Sequence, residues 1–504
     1  MALTFKGGVF VGERKRSAKC NIEYFEPKSV LLPCGAHSLS VGQSVACGEA
    51  LGEDAEGIIW HASVAGTVKE LLERNGRPYV RIERDESGSE ICPVEPAEKS
   101  LSELSPDEIV EKIRLAGIFG LGGGRPTYKK LMAAIGRADR LIINCAESEP
   151  YASADHRVLL ERPEEVVNGA KILLRALAIR AAYIGIEENK YDCADAVDAV
   201  VGPGELVRVR MLKTKYPQGS EKMLIHAITG RELGAGHSPE EVGCMVVNCR
   251  TCAAVFRAVA YGKALTHTVV TVDGGAVSRA HNIQVPIGTS VEDILEYCGV
   301  KKVDTVVLGG AMTGRRVEDT STPVISESSL LCTSRRQRVR DGDNCVRCGK
   351  CVTACPMNLV PAMLYEACRR KNAKKAQKLN LQSCIECGAC AYVCPARLPI
   401  LEAVRSMKEP ASETACANAP QTELVAELVE AQTDEKKDGA QEKDKMTRLS
   451  PKEQKKKRAD TEYAGVLSAV DQWAEDAGMD VKGGGEAASI KELAGAFEED
   501  EKNG

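Results

Sequence analysis

Hydrophobic and polar positions form different patterns in successive parts of the chain, and each pattern predicts a different kind of domain. Over residues 1–100, short apolar runs alternate with glycine and aspartate turns, which predicts a β domain. Over residues 105–263, strand-length apolar runs such as Arg140–Asn144 alternate with amphipathic helical segments such as Pro163–Ala176, which predicts an α/β domain. Residues 264–320 follow the order strand, turn, strand, helix, strand. The predicted fold class is therefore a multidomain protein with α/β and β domains.

Polar and glycine residues collect at two places where α/β folds bind ligands. The strand Arg140–Asn144 ends in a polar loop that continues to Glu147, and open α/β sheets bind ligands beyond the carboxyl ends of their strands. The glycine cluster Gly117–Gly124 precedes a lysine-bearing helical segment, and amides at such a helix start can hold a phosphate. A glycine cluster can also be only a turn, so this second signal is weak on its own.

Two cysteine runs with identical spacing dominate residues 338–402. Each reads C-x2-C-x2-C-x3-C-P, the two-cluster ferredoxin spacing, in which the fourth cysteine of one run ligates the other 4Fe–4S cluster. The first predicted ligand set is Cys345, Cys348, Cys351 and Cys394. The second predicted set is Cys384, Cys387, Cys390 and Cys355. Structural zinc is the rival interpretation, but a zinc site has no use for a third C-x2 step or a repeated Cys-Pro ending. The spacing predicts a double ferredoxin domain that moves single electrons.

Bulk composition narrows the remaining classes of function. The 504-residue chain has a formal charge of -5, which favours neither nucleic acid nor a basic membrane patch. It has 21 cysteines, and those outside the two runs show no disulfide framework, which indicates a reducing compartment. No run of 18 apolar residues occurs, so we expect no membrane-spanning segment. Residues 408–504 are rich in Ala, Glu, Lys and Gln and predict a charged linker followed by short amphipathic tail helices.

The first β domain is similar to a barrel-sandwich carrier domain but lacks the residue that a carrier needs. The segments Val41–Val45 and His61–Val68 resemble the fold of biotinyl and lipoyl carriers. Such carriers attach their prosthetic group to a lysine on a hairpin tip, and no lysine occurs from Ser29 to Val68. We therefore reject a carrier function and expect a docking domain.

Taken together, these segments resemble the C subunit of the Rnf electron-transport complex and, more distantly, the flavin-binding subunit of respiratory complex I. The matching stretches are Glu147–Arg157, Leu159–Val166, Tyr183–Lys190 and Lys213–Gly219. The likeness covers roughly residues 1–400 and includes the order of the modules. It implies a barrel-sandwich N-terminal domain, a Rossmann-like FMN and NADH domain, a soluble-ligand-binding β-grasp domain at 264–320 and the double ferredoxin domain. The related cobalamin reductases are expected to place the barrel last.

By this resemblance, residues 105–263 bind FMN and NAD(H). The residues that would surround the flavin are Asn144, Glu147, Tyr216, Gly219, Glu221, Asn248 and Thr251. Those that would lie near phosphates are Lys130 and the amides of Gly120, Gly122, Gly123 and Gly124. A flavin is chemically necessary because NADH gives two electrons as a hydride whereas each cluster accepts one. No general acid or base is required, so no catalytic side chain is predicted.

The resemblance also implies a setting and partners. The chain would be a peripheral oxidoreductase subunit at the cytoplasmic face of the bacterial cell membrane, in a complex that couples ferredoxin:NAD+ electron transfer to ion movement. Its partners would be the membrane-embedded subunits and the ferredoxin-like B subunit, with NADH as substrate.

One loop departs from the family pattern and keeps two alternatives open. The family loop reads Gly-Leu-Gly-Gly-Ala-Gly-Phe-Pro-Thr, whereas Gly120–Thr127 is one residue shorter and has Arg125 in place of the aromatic. Either the loop tolerates this sequence change and Arg125 binds a phosphate, or dinucleotide binding is altered or lost. The alternative functions are a cobalamin reductase, which the domain order disfavours, and a non-catalytic iron–sulfur relay that binds no nucleotide.

Overall fold

The structure is a computed structural model, and it describes residues 2–12, 14–35, 39–97, 101–202, 204–333 and 344–408. All of these residues fall within one unit, Met1–Glu430. The predicted tail, from residue 409 onward, and the first residues of the predicted ferredoxin domain, 338–343, lie outside the described residues. In the part of the chain that is described, no helix has both the length and the apolar character needed to cross a membrane.

The N-terminal part consists of strands, as its turn pattern predicts. Strands β1 to β7 are Ile22–Tyr24, Ser29–Pro33, Ser44–Val45, Ala50–Glu53, Ile59–His61, Gly66–Arg74 and Arg77–Arg84. Strands β2-β7-β6-β3 form an antiparallel sheet, and β4 pairs with β5. In β7, Val80 and Ile82 are buried while their neighbours are at least partly exposed, which is the period-two pattern of a strand with one face in the core.

The first 24 residues lie outside this β domain, so the predicted boundary at residue 1 is wrong. Leu3 forms a parallel bridge to Leu212, and Val9 forms an antiparallel bridge to Tyr216, both far along the chain. Strand β1 pairs with a strand of the third domain. The physical reason is that open sheet edges offer unpaired backbone groups, and an extended chain start can satisfy them. A local apolar pattern does not reveal which edge it will pair with.

The predicted α/β domain alternates helices and strands over residues 106–261. Its elements are α1 Pro106–Leu115, α2 Thr127–Ala134, β8 Arg140–Cys145, α3 Ala154–Glu161, α4 Pro163–Leu177, β9 Ala182–Glu187, α5 Tyr191–Val200, β10 Val207–Leu212, α6 Glu221–Thr229, β11 Cys244–Asn248 and α7 Cys249–Tyr261. The four strands form a parallel sheet in the order β10-β9-β8-β11. The prediction of buried parallel strands is confirmed.

Local sequence signals explain where these helices begin and which face they bury. The Ser105 hydroxyl accepts a hydrogen bond from the Glu108 amide at 3.2 Å, and the Glu108 carboxylate accepts one from the Ser105 amide at 2.7 Å. This capping box satisfies donors that the first turn of α1 would otherwise leave unpaired. Ile109 and Ile113 on the same helix are fully buried, as their four-residue spacing predicts.

The third domain is a mixed sheet that covers more of the chain than predicted. Its elements are β12 His267–Asp273, β13 His281–Pro286, α8 Val291–Tyr297, β14 Thr305–Leu308, β15 Arg315–Arg316 and β16 Ser329–Thr333. The sheet order is β1-β13-β12-β16-β14-β15. The boundary at residue 320 is therefore wrong, because β16 lies inside the sheet between β12 and β14. All five residues of β16 are buried, and so short a run, with Ser329 and Thr333 at its ends, resembles a connector as much as a central strand.

The cysteine-rich part is helical between its loops. Its helices are α9 Lys350–Ala354, α10 Pro361–Arg369, α11 Ala373–Lys378, α12 Ala389–Tyr392 and α13 Ile400–Lys408. The single helix predicted over Leu359–Lys378 is broken, because Lys371 takes a left-handed conformation with φ of 52°. Cys368 is buried in an apolar cluster with Leu364 and Val404, which confirms it as a packing residue.

Gly169 offers a test of how closely α4 packs against α7. A Cβ atom added at Gly169 would lie 2.0 Å from the Cys252 carbonyl oxygen. We therefore expect Gly169→Ala to lower the free energy of unfolding by about 1–3 kcal/mol, because the clash is with backbone and cannot be relieved by a rotamer change. Urea denaturation followed by circular dichroism measures this. Gly202→Ala is the matched control, because its nearest neighbour would be 3.4 Å away, and equal losses in both variants would contradict the packing argument.

His61 should make the folded protein sensitive to mild acid. Burial lowers the pKa of His61 from 6.5 to about 4, against the opposing effect of backbone hydrogen bonds. Between these two pH values the unfolded chain binds a proton at His61 that the folded chain does not, so stability falls as the pH drops. We expect this site to contribute up to about 1.4 kcal/mol per pH unit. In urea melts from pH 7 to 4, His61→Gln should flatten the decline, whereas His237→Gln, on an exposed side chain, should not.

Candidate functional site

A cavity of about 940 Å³ lies at the carboxyl ends of β8 and β11. Its volume falls within the range of about 300–1,000 Å³ that is usual for cofactor sites. The glycine loop, the start of α2 and the start of α7 form its walls. Most of the predicted cofactor residues line it: Gly120, Gly122, Gly123, Lys130, Asn144, Gly219, Glu221, Asn248 and Thr251. The sheet topology explains this, because parallel strands deliver their terminal residues to one edge.

The glycine loop borders open space. A Cβ atom added at Gly122, Gly123 or Gly124 would meet no atom within 4 Å. Gly122 and Gly124 have φ values of 120° and 69°, which only glycine adopts readily. A flat cofactor could therefore approach the backbone of this loop without a steric barrier, so the loop fits a bound flavin nucleotide.

Most amides of this loop are committed to other acceptors. The amides of Gly123 and Gly124 both donate to the Gly120 carbonyl, at 3.1 and 2.8 Å, and the Gly120 amide donates to the Arg125 carbonyl at 2.8 Å. Among the described residues, the Gly122 amide has no protein acceptor. Of the four glycine amides predicted to lie near a phosphate, only the Gly122 amide is therefore available to donate to one.

Arg250, a buried arginine that was not predicted as a site residue, holds the glycine loop in place. Arg250 Nε donates to Asp155 Oδ1 at 2.7 Å, and its guanidinium also reaches the Leu121 carbonyl at 3.4 Å. The Leu121 amide donates to Thr251 Oγ1 at 2.8 Å, and Asn248 Nδ2 donates to Asp155 Oδ2 at 2.7 Å. Arg250 is only 5% exposed. A charged residue inside the apolar run that opens α7 was the available signal, because buried charges need partners.

Lys130 and Arg125 bring positive charge to the cavity. Lys130 Nζ lies 2.7 Å from Glu221 Oε1, and both side chains remain partly exposed to the cavity. Arg125 lines the same cavity, and its guanidinium forms no hydrogen bond or ion pair with any other described residue. Elsewhere in the lining, Asn144 Nδ2 donates to the Gly219 carbonyl at 2.8 Å. The arrangement offers positive charge for a phosphate and fixed polar groups for a planar ring.

Two of the predicted flavin residues do not line this cavity. Glu147 and Tyr216 border a separate cavity of about 290 Å³. The Glu147 carboxylate lies 4.0 Å from Lys15 Nζ and accepts the Asp155 amide at 3.0 Å, which places it at the start of α3. Burial raises the pKa of Glu147, and the Lys15 ammonium opposes that shift. Glu147 therefore has structural partners, and Tyr216 points to the cysteine-rich part.

The eight cysteines divide into the two predicted sets. A cavity of about 190 Å³ is lined by Cys345, Cys348, Cys351 and Cys394, which we call the first quartet. A smaller cavity of about 30 Å³ is lined by Cys355, Cys384, Cys387 and Cys390, which we call the second quartet. Burial, and then the charges of neighbouring thiols of the second quartet, raise the pKa of Cys390 well above its usual range. A metal centre would stabilise such closely spaced cysteines, because it binds them in the deprotonated, thiolate form. Ligation by these cysteines remains a prediction.

Comparisons with known proteins agree with both halves of this description. Residues 113–257 match the model of the Nuo51 FMN-binding domain, and residues 337–395 match that of the 4Fe-4S dicluster domain. The first match contains every predicted flavin residue, and the second contains both quartets.

Relatives named as C subunits of ion-translocating complexes cover most of the chain. The C subunit of the proton-translocating ferredoxin:NAD(+) oxidoreductase complex of Clostridium ljungdahlii is 41% identical over 275 residues, 53% of this chain and 60% of that protein. The C subunit of the Na(+)-translocating ferredoxin:NAD(+) oxidoreductase complex of Acetobacterium woodii is 34% identical over 429 residues, 80% of this chain and 96% of that protein. The C subunit of the ion-translocating oxidoreductase complex of Vibrio cholerae is 31% identical over 75% of this chain and is matched over 52% of its own length.

Gly123 should be replaceable without loss of fold but not without loss of cofactor. Because its Cβ direction points into open space, we expect Gly123→Val to change the free energy of unfolding by less than about 0.5 kcal/mol. The same side chain would occupy the cavity and abolish flavin retention. Absorbance of the purified protein near the flavin bands, together with urea melts, measures both. Full flavin content in Gly123→Val, equal to that of the control Gly202→Val, would contradict the placement of the flavin.

Proposed function

The chain belongs to the family of C subunits of ion-translocating ferredoxin:NAD(+) oxidoreductase complexes, and from that premise we propose that it carries electrons between NAD(H) and the other subunits of such a complex. The cavity would hold FMN, and the two quartets would hold one 4Fe–4S cluster each. The observation that carries this proposal is the pair of cysteine quartets, present in the same chain as a glycine-lined cavity of nucleotide size.

The chain's own residues would bind and orient the flavin rather than take part in covalent chemistry. Lys130 and Arg125 would hold its phosphate, with the Gly122 amide as the backbone donor. Asn144 and Asn248, at the ends of β8 and β11, would border the ring. Bound FMN supplies the conversion between a two-electron hydride donor and one-electron acceptors. The protein's contribution is orientation and electrostatics, which is why no general acid or base is assigned.

The chain would work as one subunit of a larger complex at the membrane. We place the chain at the cytoplasmic face of the cell membrane as a peripheral subunit, in contact with membrane-embedded subunits and a ferredoxin-like B subunit. The complex as a whole would be a translocase, and this chain would contribute electron transfer without an ion pathway. Support comes from the names of the relatives, which describe ion-translocating complexes of several subunits.

A non-catalytic iron–sulfur relay is the second candidate, and one observation favours it. The shortened glycine loop commits the amides of Gly120, Gly123 and Gly124 to protein acceptors, which leaves few donors for a dinucleotide. A cobalamin reductase would share the same modules, but the N-terminal position of the β domain disfavours it.

Anaerobic purification separates these functions. We expect a flavin absorbance band, iron and labile sulfide equivalent to two clusters, and bleaching on addition of NADH. Cys348→Ser should remove roughly half of the iron, because it breaks only the first quartet. If the protein holds two clusters but shows no flavin band and no bleaching by NADH, the non-catalytic relay is the function that remains. Zinc in place of iron would contradict the proposal, and cobalamin-dependent reoxidation of the reduced protein would favour the reductase.

A further inference from the structure

Tyr216 connects the α/β domain to the second quartet. Its side chain is 2% exposed, and its Oη donates a hydrogen bond of 2.6 Å to the carbonyl oxygen of Cys387. Its ring lies in an apolar cluster with residues from the chain start, the third domain and the cysteine loops, among them Val9, Ala354, Ala389 and Tyr392. The tyrosine therefore touches a predicted ligand's own peptide group.

The second quartet is held from other sides as well. The Gly8 amide donates to the Ala354 carbonyl at 2.9 Å, and a Cβ atom added at Gly7 would lie 2.6 Å from the Cys355 carbonyl oxygen. By contrast, Cys345 and Cys348 of the first quartet are exposed. The two quartets therefore differ in how firmly the rest of the chain encloses them.

The segment that begins at Tyr216 ends at the flavin cavity. Gly219, three residues further on, lines that cavity, and its carbonyl accepts Asn144 Nδ2. At most about 11 Å of chain can separate the two α-carbons. Between them, Gln218 is completely buried, and neither atom of its amide has a partner among the described residues. Burial of an amide without partners is unfavourable, so this short segment is held in place by its surroundings and not by the Gln218 side chain.

We propose that Tyr216 is a positioning residue for the second quartet, which ties Cys387 to the cavity wall and sets the polarity around the group that this quartet binds. The proposal rests on the proposed function, since it assumes a redox cluster there. The hydroxyl directs the positive end of its dipole at the Cys387 peptide and thereby favours added negative charge on the bound group. Hydrogen bonds and solvent exposure are the means by which a protein adjusts such a cluster.

Tyr216→Phe removes that hydroxyl and little else. We expect the cluster of the second quartet to become harder to reduce, with its reduced-to-oxidised ratio at a fixed potential falling by up to about fivefold; the full value of one ordinary hydrogen bond sets that upper limit, because the bond exists in both redox states and only its change in strength counts. The cluster of the first quartet should keep its ratio. Iron, sulfide and flavin content should equal those of the unaltered protein, because the ring still fills its apolar site.

The measurement is a redox titration of the full chain, followed by electron paramagnetic resonance. Cys348→Ser identifies the signal of the first quartet by its loss, and Tyr191→Phe, on an exposed tyrosine of α5, is the matched control. A selective fall at the second quartet supports the proposal. An unchanged or raised ratio there, or an equal fall at both clusters, overturns it. If the unaltered protein holds no clusters, the proposed function itself fails, and that result is distinguishable because it appears before any substitution.

Discussion

The buried ion pair between Arg250 and Asp155 is the interaction on which the rest of the site depends. From the start of α7, the guanidinium contacts the carboxylate on α3, the Leu121 carbonyl in the glycine loop and Thr268 on β12. One side chain thereby fixes elements of two domains against each other. Breaking a buried pair by removing one partner typically costs about 3–5 kcal/mol, because the remaining charge is left uncompensated. The start of α7 is therefore strongly held against the glycine loop, α3 and β12 at the cavity wall.

A second set of contacts connects the α/β domain to the cysteine-rich part. The chain start contacts both the α/β domain and the cysteine-rich part, since Leu3 pairs with Leu212 and the Gly8 amide donates to the Ala354 carbonyl. Lys15 follows on the same path, and its ammonium donates to the carbonyls of Glu147 and Ala152 at 2.6 and 2.5 Å. These residues belong to neither module by sequence, yet they hold the α/β domain and the second quartet together. The relative position of the α/β domain and the second quartet thus depends on Leu3, Gly8 and Lys15, all close to the chain start.

Sequence reasoning was strongest where chemistry and spacing are local. The cysteine repeat, the Ser105 capping box and the buried faces of α1 and α4 each follow from residues close together in the chain. It was weakest where interacting residues are far apart in the chain. Strand β1 pairs with β13 and β16 lies between β12 and β14, and Arg250 binds Asp155, which is 95 positions away. Tyr216 shows the same limit. Its family motif placed it beside the flavin, whereas its hydroxyl meets Cys387, a contact that no pattern within residues 105–263 could indicate.

The shortened glycine loop changes how a phosphate could be recognised. Because Gly120 accepts two hydrogen bonds from within its own loop, the backbone forms a closed turn and not an open nest of amides. Recognition then passes to side chains, and Lys130, held by Glu221, and Arg125 supply the positive charge at the cavity. A guanidinium binds phosphate through two parallel hydrogen bonds, which compensates for lost amide donors but not for a lost aromatic ring. By the loop pattern that the resemblance implies, the replacement of the aromatic residue by Arg125 would preserve phosphate binding to a flavin more fully than stacking on a nicotinamide.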